Sequence, residues 1–471
     1  MRWTTAEIAA AVDGTLIESS RLDGTLVDNT LLDKDGVAAD AVVSGVTQDS
    51  REIKPRAADG SGHLFVPLIA ERDGHHFVDA ALAAGAVATL SDRDLSGCEV
   101  AVIRVADTTL ALAALGNAAR ARLADAMVIG VTGSVGKTTT KDLLAAVFAE
   151  QRRTYANARS FNNEIGLPLA LLAAPEDSEI VILELGARGV GHIAELCKMA
   201  RPTVGVITTV AAVHTSEFGS IEAVARAKGE LIENLPAATE GGLAVLNAAQ
   251  PRVVAMADRT EARVITYGAG GDVRAEEVVL DADLTPRFRL VSEWGSADVV
   301  LGARGLHLID NALAAAATAL TFGLVPEEVA RGLAHPMLSA MRMDLLQAHS
   351  GATILDDSYN ANPLSTEAAL RSLAHLGAAR RTAVLGEMAE LGAESSMEHR
   401  RMADIAADLG IRVIAVDAPD YDQPAVEHVA DLAAAVDRLG VLDVDDAVLV
   451  KGSRVVGLER LVEQLVGRSV D

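Results

Sequence analysis

The sequence is poor in cysteine, aromatic residues and positive charge. Of its 471 residues only 3% are aromatic, and the cysteines are Cys98 and Cys197 alone. Two cysteines outside any Cys-x-x-Cys pair cannot form a disulfide framework, which indicates a reducing, cytoplasmic compartment. The 41 Lys and Arg residues stand against 66 Asp and Glu, a formal charge of −25. Because this surplus repels polyanions, we expect no general binding to nucleic acid or to anionic membranes.

Long hydrophobic segments are also missing. Charged residues recur throughout the first 30 residues, so we expect no signal peptide. The longest apolar stretch, residues 311–325, is mostly alanine and is too short to span a bilayer. These observations predict a soluble protein without membrane insertion.

Short apolar strands alternate with alanine-rich helices along most of the chain, and the length suits about three domains. We predict an α/β fold with a small N-terminal domain at 1–125, a central domain with a mainly parallel sheet at 126–338, and a Rossmann-like C-terminal domain at 339–471. The short alternating segments of residues 272–301 predict an antiparallel extension. Asp-Gly pairs at 13–14 and 23–24 predict hairpin turns.

The strongest local signal is a glycine-rich turn between an apolar strand and a helix. Residues 128–140 read Val-Ile-Gly-Val-Thr-Gly-Ser-Val-Gly-Lys-Thr-Thr-Thr. In such a loop, backbone N–H groups and the helix dipole bind phosphate oxygens, Lys137 reaches the β- and γ-phosphates, and Thr138 holds Mg²⁺. The strict pattern places glycine five residues before Gly136, where this chain has Val131. The segment predicts a nucleotide site formed by Gly133, Ser134, Val135, Gly136, Lys137, Thr138 and Thr139.

Two further residues are candidates for a magnesium site. Glu184 lies near the end of the apolar run 180–185, where a buried carboxylate is costly unless it meets a cation. His214 follows the strand-like run 204–208. A salt-bridged acid and a structural histidine are the alternative interpretations, and the residues themselves leave them open.

Several segments in combination resemble the Mur ligases, the ATP-dependent amino-acid ligases of peptidoglycan precursor synthesis. In the central region they are the loop at 132–139, Asn-Asn-Glu-Ile-Gly-Leu-Pro at 162–168, Glu-Leu-Gly-Ala at 184–187, the segment around His214, and Ala-Lys-Gly-Glu at 227–230. Downstream, His-Leu-Ile-Asp-Asn-Ala at 307–312 is similar to the family's adenine-contacting segment. Asp-Asp-Ser-Tyr-Asn-Ala-Asn-Pro at 356–363 is similar to its C-terminal nucleotide-closing motif. The resemblance implies ATP and Mg²⁺ as cofactors.

The resemblance also implies roles for individual residues. Lys137, His214 and Lys228 would act in catalysis. Thr138 and Glu184 would hold magnesium at the γ-phosphate, and His214 would hold a second magnesium near the acyl group. Lys228 matches a lysine that is carbamylated in several family members, and a surface helix lysine is the alternative interpretation.

Nucleotide contacts are implied outside the loop as well. Asn311 would read adenine; capping of a helix at 312–320 is an alternative, and both roles could hold. Asn162 and Asn163 would contact phosphate or metal-bound water, with an asparagine-rich turn as the alternative. The implied nucleotide contacts beyond the loop are Asn163, Asn311, Arg342, Asp357 and Asn360.

The C-terminal motifs narrow the choice within the family. Residues 357–363, Val-Leu-Gly-Glu-Met-Ala-Glu-Leu-Gly at 384–392 and Val-Lys-Gly-Ser-Arg at 450–454 look like the branch that adds D-alanyl-D-alanine to UDP-N-acetylmuramoyl-tripeptide. We expect the protein to be a monomer that binds these two substrates. Thr-Gln-Asp-Ser-Arg at 47–51 and Asp-Gly-His at 73–75 resemble the family's UDP-substrate elements, although an ion pair with Asp49 is an alternative role for Arg51. The implied substrate contacts are Ser50, Arg51, Asp73, His75 and Lys451.

The implied chemistry runs through an acyl phosphate. A substrate carboxylate attacks the γ-phosphate of ATP, and an amine then displaces phosphate, so cations must neutralise two anions at once. The alternatives are a related ligase that adds a diamino acid or glutamate, a non-catalytic Mg-ATP-binding member of the family, and, from the loop alone, a simple phosphotransferase.

Overall fold

The structure is a computed structural model that describes residues 1–17, 41–95, 98–157, 161–211 and 218–467. The chain divides into two compact units. The first consists of Met1–Val128, Arg153–Leu185 and Glu195–Arg201, and the second of Ile129–Arg152, Gly186–Ala194 and Pro202–Asp471. Across the described ranges, no helix is long and apolar enough to cross a membrane.

Strands and helices alternate along the chain, as the apolar pattern predicts. The strands are β1 (Trp3–Thr4), β2 (Thr15–Ile17), β3 (Val42–Thr47), β4 (Gly62–Phe65), β5 (Ala88–Ser91), β6 (Ala101–Arg104), β7 (Met127–Thr132), β8 (Thr154–Ala156), β9 (Ile180–Glu184), β10 (Val204–Ile207), β11 (Leu243–Asn247), β12 (Arg263–Tyr267), β13 (Arg274–Leu280), β14 (Pro286–Ser292), β15 (Gly295–Val300), β16 (Asp344–Gln347), β17 (Thr353–Asp356), β18 (Arg380–Leu385), β19 (Arg412–Val416), β20 (Glu427–Val429) and β21 (Asp446–Lys451). The helices are α1 (Thr5–Ala11), α2 (Val78–Ala84), α3 (Thr108–Arg122), α4 (Lys137–Ala149), α5 (Gly166–Ala173), α6 (His192–Ala200), α7 (Ile221–Glu233), α8 (Pro251–Val254), α9 (Ile309–Thr321), α10 (Pro326–Ala334), α11 (Pro363–His375), α12 (Ser395–Asp408), α13 (Leu432–Leu439) and α14 (Glu459–Val466).

The first unit contains a six-stranded sheet in the order β1-β3-β4-β5-β6-β2. Strands β3 to β6 are parallel, and β1 and β2 run antiparallel at the two edges. The same unit holds the parallel pair β8 and β9, and α5 packs on α3. Gly116 of α3 permits that packing, since a Cβ there would lie 2.6 Å from Pro168 Cβ.

The Asp13-Gly14 pair does not form the predicted hairpin. Helix α1 ends at Ala11 and β2 begins at Thr15, so the turn joins a helix to a strand. Asp13 has φ 50°, a left-handed conformation that aspartate tolerates. The dipeptide therefore marks a tight turn without deciding which elements the turn connects. The second Asp-Gly pair, at 23–24, lies outside the described residues.

In the second unit, four parallel strands lie in the order β12-β11-β10-β7. Strands β10 and β11 are buried along their whole length, as expected for parallel strands covered on both faces. Because the carboxyl ends of parallel strands meet at one edge of the sheet, the loops that follow β7 and β10 lie together. Strands β13, β14 and β15 form an antiparallel sheet, which confirms the predicted extension.

The C-terminal sheet has the order β16-β17-β21-β18-β19-β20, and only β16 is antiparallel to its neighbour. Successive side chains point to opposite faces of a strand. Leu355, Leu385 and Leu449 accordingly belong to one apolar cluster, and Ile354, Val384 and Val448 to another. With apolar clusters on both faces of this mainly parallel sheet, the predicted α/β fold class is confirmed. The domain boundaries at 125/126 and 338/339 stay a prediction.

Candidate active site

The glycine-rich loop joins β7 to α4, as the sequence predicts. Gly133 and Gly136 have φ 151° and 86°, conformations that side chains other than glycine rarely adopt. Both glycines are also closely approached: a Cβ at Gly133 would collide with the Thr208 hydroxyl, and one at Gly136 with the Asn311 amide. Backbone conformation and close packing therefore both require glycine at these two positions.

The end of β10 holds this loop in shape. Ser134 N–H donates to Thr209 O at 2.8 Å, and the Thr208 hydroxyl donates to Val135 O at 2.6 Å. The Ser134 hydroxyl donates to Ala211 O at 3.2 Å. The sequence motifs did not point to Thr208 and Thr209, although two adjacent threonines directly after a buried strand were an available signal.

Lys137 is the first residue of α4 and folds back over the loop. Its Nζ donates to Gly133 O at 2.9 Å and to Ser134 O at 3.5 Å. A cation at a helix N-terminus is repelled by the positive end of the helix dipole. An anion bound there would be attracted by both the dipole and the Lys137 ammonium. The loop and Lys137 therefore fit a polyphosphate group.

Asn311 does not cap a helix, so that alternative is wrong. It lies inside α9, which begins at Ile309 and has Leu308 as its N-cap. The Asn311 amide Nδ2 donates to Gly136 O at 3.1 Å and to the Thr140 hydroxyl at 2.8 Å. The side chain thus connects the phosphate loop to the first turn of α4, and its contact with adenine stays a prediction.

Arg342 contacts the phosphate loop from the segment that precedes the C-terminal sheet. Its Nη2 donates to the Thr138 hydroxyl at 3.2 Å, and its guanidinium carbon lies 4.2 Å from the centre of the Tyr359 ring. Met341 and Met343 on either side have φ 62° and 58°. These left-handed conformations cost free energy, so packing around them must hold the segment in place. The arrangement brings a third cationic group to the loop, after the helix N-terminus and Lys137.

Lys451, Asp357 and Asn360 form a buried cluster. Lys451 is 1% exposed; its Nζ is hydrogen-bonded to the Asp357 carboxylate and donates to Asn360 O at 2.9 Å. Burial lowers the pKa of Lys451, and the charge of Asp357 opposes that shift. Asp357 and Asn360, which are predicted nucleotide contacts, therefore lie together with Lys451, a predicted substrate contact. The Lys451 ammonium points toward these two residues.

Lys228 is buried, so the interpretation as a surface lysine is wrong. It is 3% exposed on α7, and its Nζ lies 5.9 Å from the centre of the Phe218 ring. The neighbouring Glu230 is also buried, and its carboxylate accepts hydrogen bonds from the backbone N–H groups of Gly191 and Ala194. Glu230, to which the sequence motifs gave no separate role, organises the turn that begins α6.

The remaining metal candidates are described only in part. Glu184 is 1% exposed at the end of β9 and accepts a hydrogen bond from Asn162 Nδ2 at 3.0 Å. Asn163 Oδ1 accepts from Gly166 N–H at 2.8 Å, which is the turn role weighed as the alternative. His214 lies outside the described residues. Among the residues that are described, no group of three His, Cys, Asp or Glu side chains could hold a metal ion, and the set of Thr138, Glu184 and His214 stays a prediction.

The predicted UDP-substrate residues form two small polar clusters in the first unit. Ser50 begins a 3₁₀ turn capped by Asp49, and Arg51 Nη2 lies 2.6 Å from Asp49 Oδ2, so the ion pair weighed as an alternative is present.

In the second cluster, the Asp73 carboxylate accepts from His75 N–H at 3.0 Å and lies 2.8 Å from His75 Nδ1. Arg93 Nη1 completes this cluster, at 2.7 Å from Asp73 Oδ2. Arg93 belongs to none of the motifs recognised in the sequence.

Comparison with known proteins identifies the family. Residues 131–319 match the Mur ligase middle domain, and residues 341–454 match the Mur ligase glutamate ligase domain. The chain is 38% identical to the UDP-N-acetylmuramoyl-tripeptide–D-alanyl-D-alanine ligase of Mycobacterium tuberculosis, over 91% of this chain and 93% of the relative. It belongs to the Mur ligase family. The loop, Lys137 and Arg342 of this Mur ligase all lie within the two matched regions.

Solved structures are similar to this Mur ligase over its whole length. MurF from Acinetobacter baumannii has a TM-score of 0.82 at 27% identity and covers 99% of both chains. MurF from Thermotoga maritima, in complex with ADP, has a TM-score of 0.77 at 27% identity and covers 90% of this chain and 97% of its own.

Replacing Asn311 by alanine is expected to weaken phosphate binding, because the Gly136 carbonyl and the Thr140 hydroxyl lose their shared donor. Lost hydrogen bonds of this kind cost about 1 kcal/mol each, so we expect binding of ATP and of inorganic tripolyphosphate to fall together, by roughly tenfold or more. Calorimetric titration with each ligand measures this. If ATP binding falls and tripolyphosphate binding does not, Asn311 affects nucleotide binding through the base and not through the phosphate loop. Asn117→Ala, an exposed asparagine on α3, is the control.

Replacing Glu230 by glutamine is expected to lower the free energy of unfolding by about 1.5–3 kcal/mol, since a carboxylate that accepts two backbone N–H groups becomes an amide with one acceptor oxygen. Urea unfolding measures the change. Glu222→Gln on the same helix is a matched control, because that carboxylate forms an exposed ion pair with Arg252 and contributes little. Equal stabilities of the two variants would contradict the assignment.

Proposed function

We propose that this chain is an ATP- and Mg²⁺-dependent ligase that adds D-alanyl-D-alanine to UDP-N-acetylmuramoyl-tripeptide in cytoplasmic peptidoglycan precursor synthesis. The observation that carries the proposal is the phosphate loop with Lys137 and Arg342 upon it, in a chain similar over 91% of its length to relatives named for this reaction. The loop accounts for the use of ATP, and the similarity over both end regions accounts for the choice of substrates.

The first chemical step joins two anions. The terminal carboxylate of the tripeptide attacks the γ-phosphorus of ATP, the bond to the bridging oxygen breaks, and ADP leaves. The N-terminus of α4, Lys137 and Arg342 supply positive charge where the triphosphate would lie. Magnesium held by Thr138 and Glu184 would neutralise further phosphate charge, and His214 would hold a second magnesium near the acyl group. Because Arg342 donates to the Thr138 hydroxyl here, we expect it to exchange that hydroxyl for a phosphate oxygen when nucleotide binds.

The second step forms the amide. The amine of D-alanyl-D-alanine attacks the acyl carbon, the carbon–oxygen bond to phosphate breaks, and inorganic phosphate and a proton leave. Water would hydrolyse the acyl phosphate, so the site must exclude it. Arg342, Asp357 and Asn360 would enclose the nucleotide, and Lys451 would act through the buried cluster that orients Asp357 and Asn360. Lys228, which is buried on α7, would act in catalysis at the same site.

The UDP-substrate would bind in the first unit. The Arg51 side chain is 88% exposed, so its guanidinium can exchange Asp49 for a substrate anion without a large desolvation cost. Ser50, Asp73 and His75 would provide hydrogen bonds. The proposed domains are 1–125 for this substrate, 126–338 for ATP, and 339–471 for closure and the incoming dipeptide, within a cytoplasmic monomer that does not insert into membranes. Sedimentation equilibrium tests the monomer.

The deciding experiment is the product mass after incubation with ATP, UDP-muramoyl-tripeptide and D-alanyl-D-alanine. We expect the mass of the amide, with ADP release that depends on the dipeptide and is indifferent to free lysine, diaminopimelate or glutamate. ADP release that depends on one of those amino acids instead would assign the chain to another ligase of the family. A phosphorylated product without amide would indicate a phosphotransferase, and no turnover in a preparation that binds Mg-ATP would indicate a non-catalytic member. Parallel reactions with diaminopimelate- and lysine-containing tripeptides identify the third residue.

A further inference from the structure

The loop that follows β18 lies against the end of β21. Leu385 pairs with Lys451 in the sheet, and Gly386 N–H donates to Lys451 O at 2.9 Å. Ser453 N–H donates to Glu387 O at 2.9 Å. The two strand ends are therefore joined directly beside the buried Lys451 cluster.

His399 accepts the next backbone N–H of this loop. The residue is fully buried on α12, and its Nε2 accepts a hydrogen bond from Met388 N–H at 2.8 Å. Its Nδ1 lies 2.8 Å from Ser395 O, a carbonyl that can only accept. The proton must therefore be on Nδ1, and the imidazole is neutral. A buried ring that uses both nitrogens in this way holds one defined orientation.

Tyr421 contacts both the His399 ring and the same loop. The His399 and Tyr421 rings meet edge to face with centroids 4.7 Å apart, and the Tyr421 hydroxyl donates to Gly386 O at 3.2 Å. Ser453 Oγ accepts from Ala389 N–H at 2.8 Å. Side chains from three other segments thus bind Gly386, Met388 and Ala389, while the Glu387 side chain between them is exposed.

We propose that His399 is a positioning residue for binding of the incoming amine. It fixes the loop of residues 386–389, so that Glu387 presents its carboxylate beside the end of β21 at Lys451. The incoming dipeptide carries an ammonium group. An exposed carboxylate on a loop of fixed backbone position can form a charge-assisted hydrogen bond with that group. The proposal rests on the function proposed above, because it takes D-alanyl-D-alanine as the incoming group. His399 itself touches neither substrate nor nucleotide in this assignment.

The test compares His399→Leu, which removes the acceptor, with His399→Gln, which retains an acceptor oxygen near the Nε2 position. In His399→Leu we expect the KM for D-alanyl-D-alanine to rise roughly tenfold, the KM for ATP to change by less than about twofold, and amide exchange in the peptide spanning 386–391 to accelerate. His399→Gln should recover most of both effects. His428→Gln, an exposed histidine of β20, is the matched control.

Three results would overturn the proposal: equal changes in the KM of dipeptide and ATP, an unchanged dipeptide KM, or no recovery in His399→Gln. If His399→Leu does not fold, Tyr421→Phe removes only the hydrogen bond to Gly386 O and should still raise the dipeptide KM selectively; an unchanged KM there counts against the proposal. Absence of amide product in the unmodified protein would instead refute the proposed function, and the exchange measurement would still report whether His399 holds the loop.

Discussion

Replacing Lys137 by alanine is expected to abolish ligation while leaving the fold intact. The Lys137 ammonium lies 2.9 Å from Gly133 O and so contacts the backbone that would hold the triphosphate. Removal of one preorganised group that stabilises transition-state charge costs about 10²–10³ in rate. Since Lys137 would act on the ground-state triphosphate as well, we expect a loss of about 10³ or more in kcat/KM. Coupled detection of ADP release measures it.

The control for Lys137→Ala is Lys198→Ala, a lysine on α6 whose side chain is 67% exposed and paired with Glu195. Both variants should unfold at the temperature of the parent within a few degrees, because an exposed ion pair contributes about 0–1 kcal/mol and the Lys137 side chain is only partly buried. Near-normal ligation by Lys137→Ala, in a folded preparation, would contradict the assigned role of the loop.

Replacing Lys451 by methionine is expected to produce the largest loss of stability. The substitution leaves the Asp357 carboxylate buried without its cation and takes the donor from Asn360 O. Breaking a buried ion pair in this way costs about 3–5 kcal/mol. We expect the unfolding transition of the C-terminal region to shift to lower urea concentration by the amount that corresponds to this loss of free energy. Fluorescence or circular dichroism measures the transition.

The double variant Lys451→Met with Asp357→Asn separates charge from packing. Because the second substitution removes the uncompensated carboxylate, the pair should be more stable than Lys451→Met alone, with a coupling energy of about 1–3 kcal/mol. Ligation should remain impaired in both, since Asp357 is a proposed nucleotide contact. A Lys451→Met protein as stable as the parent would show that the buried pair contributes nothing.

The net charge of −25 makes the local cations decisive. ATP and a UDP-linked acidic peptide are both strongly anionic, so the mean field of the protein opposes their binding. In the proposed site the opposing charge would be provided by the N-terminus of α4, Lys137 and Arg342, and two of these three lie within the first residues of one helix. The sequence composition thus predicts an electrostatic barrier to anionic ligands, and these groups are the ones we propose to overcome it.

Much of the fold followed from local pattern. Runs such as Val204–Ile207 and Leu243–Asn247 are short, β-branched or leucine-rich and separated by helical segments, a pattern that predicts buried parallel strands. The Asp13-Gly14 turn shows the limit of such reasoning, because a dipeptide specifies backbone conformation but not whether the preceding element is a helix or a strand.

The sequence by itself determined the phosphate loop, the alternation of strands and helices, and the resemblance to one family, because each depends on residues adjacent in the chain. Only the tertiary structure decided which partners the polar side chains have. Asn311 meets Gly136 across 175 positions, Arg342 meets Thr138 across 204, and Lys451 meets Asp357 across 94. No local pattern encodes such pairs, since hydrogen-bond partners are set by which strand and helix ends the packed sheets bring together.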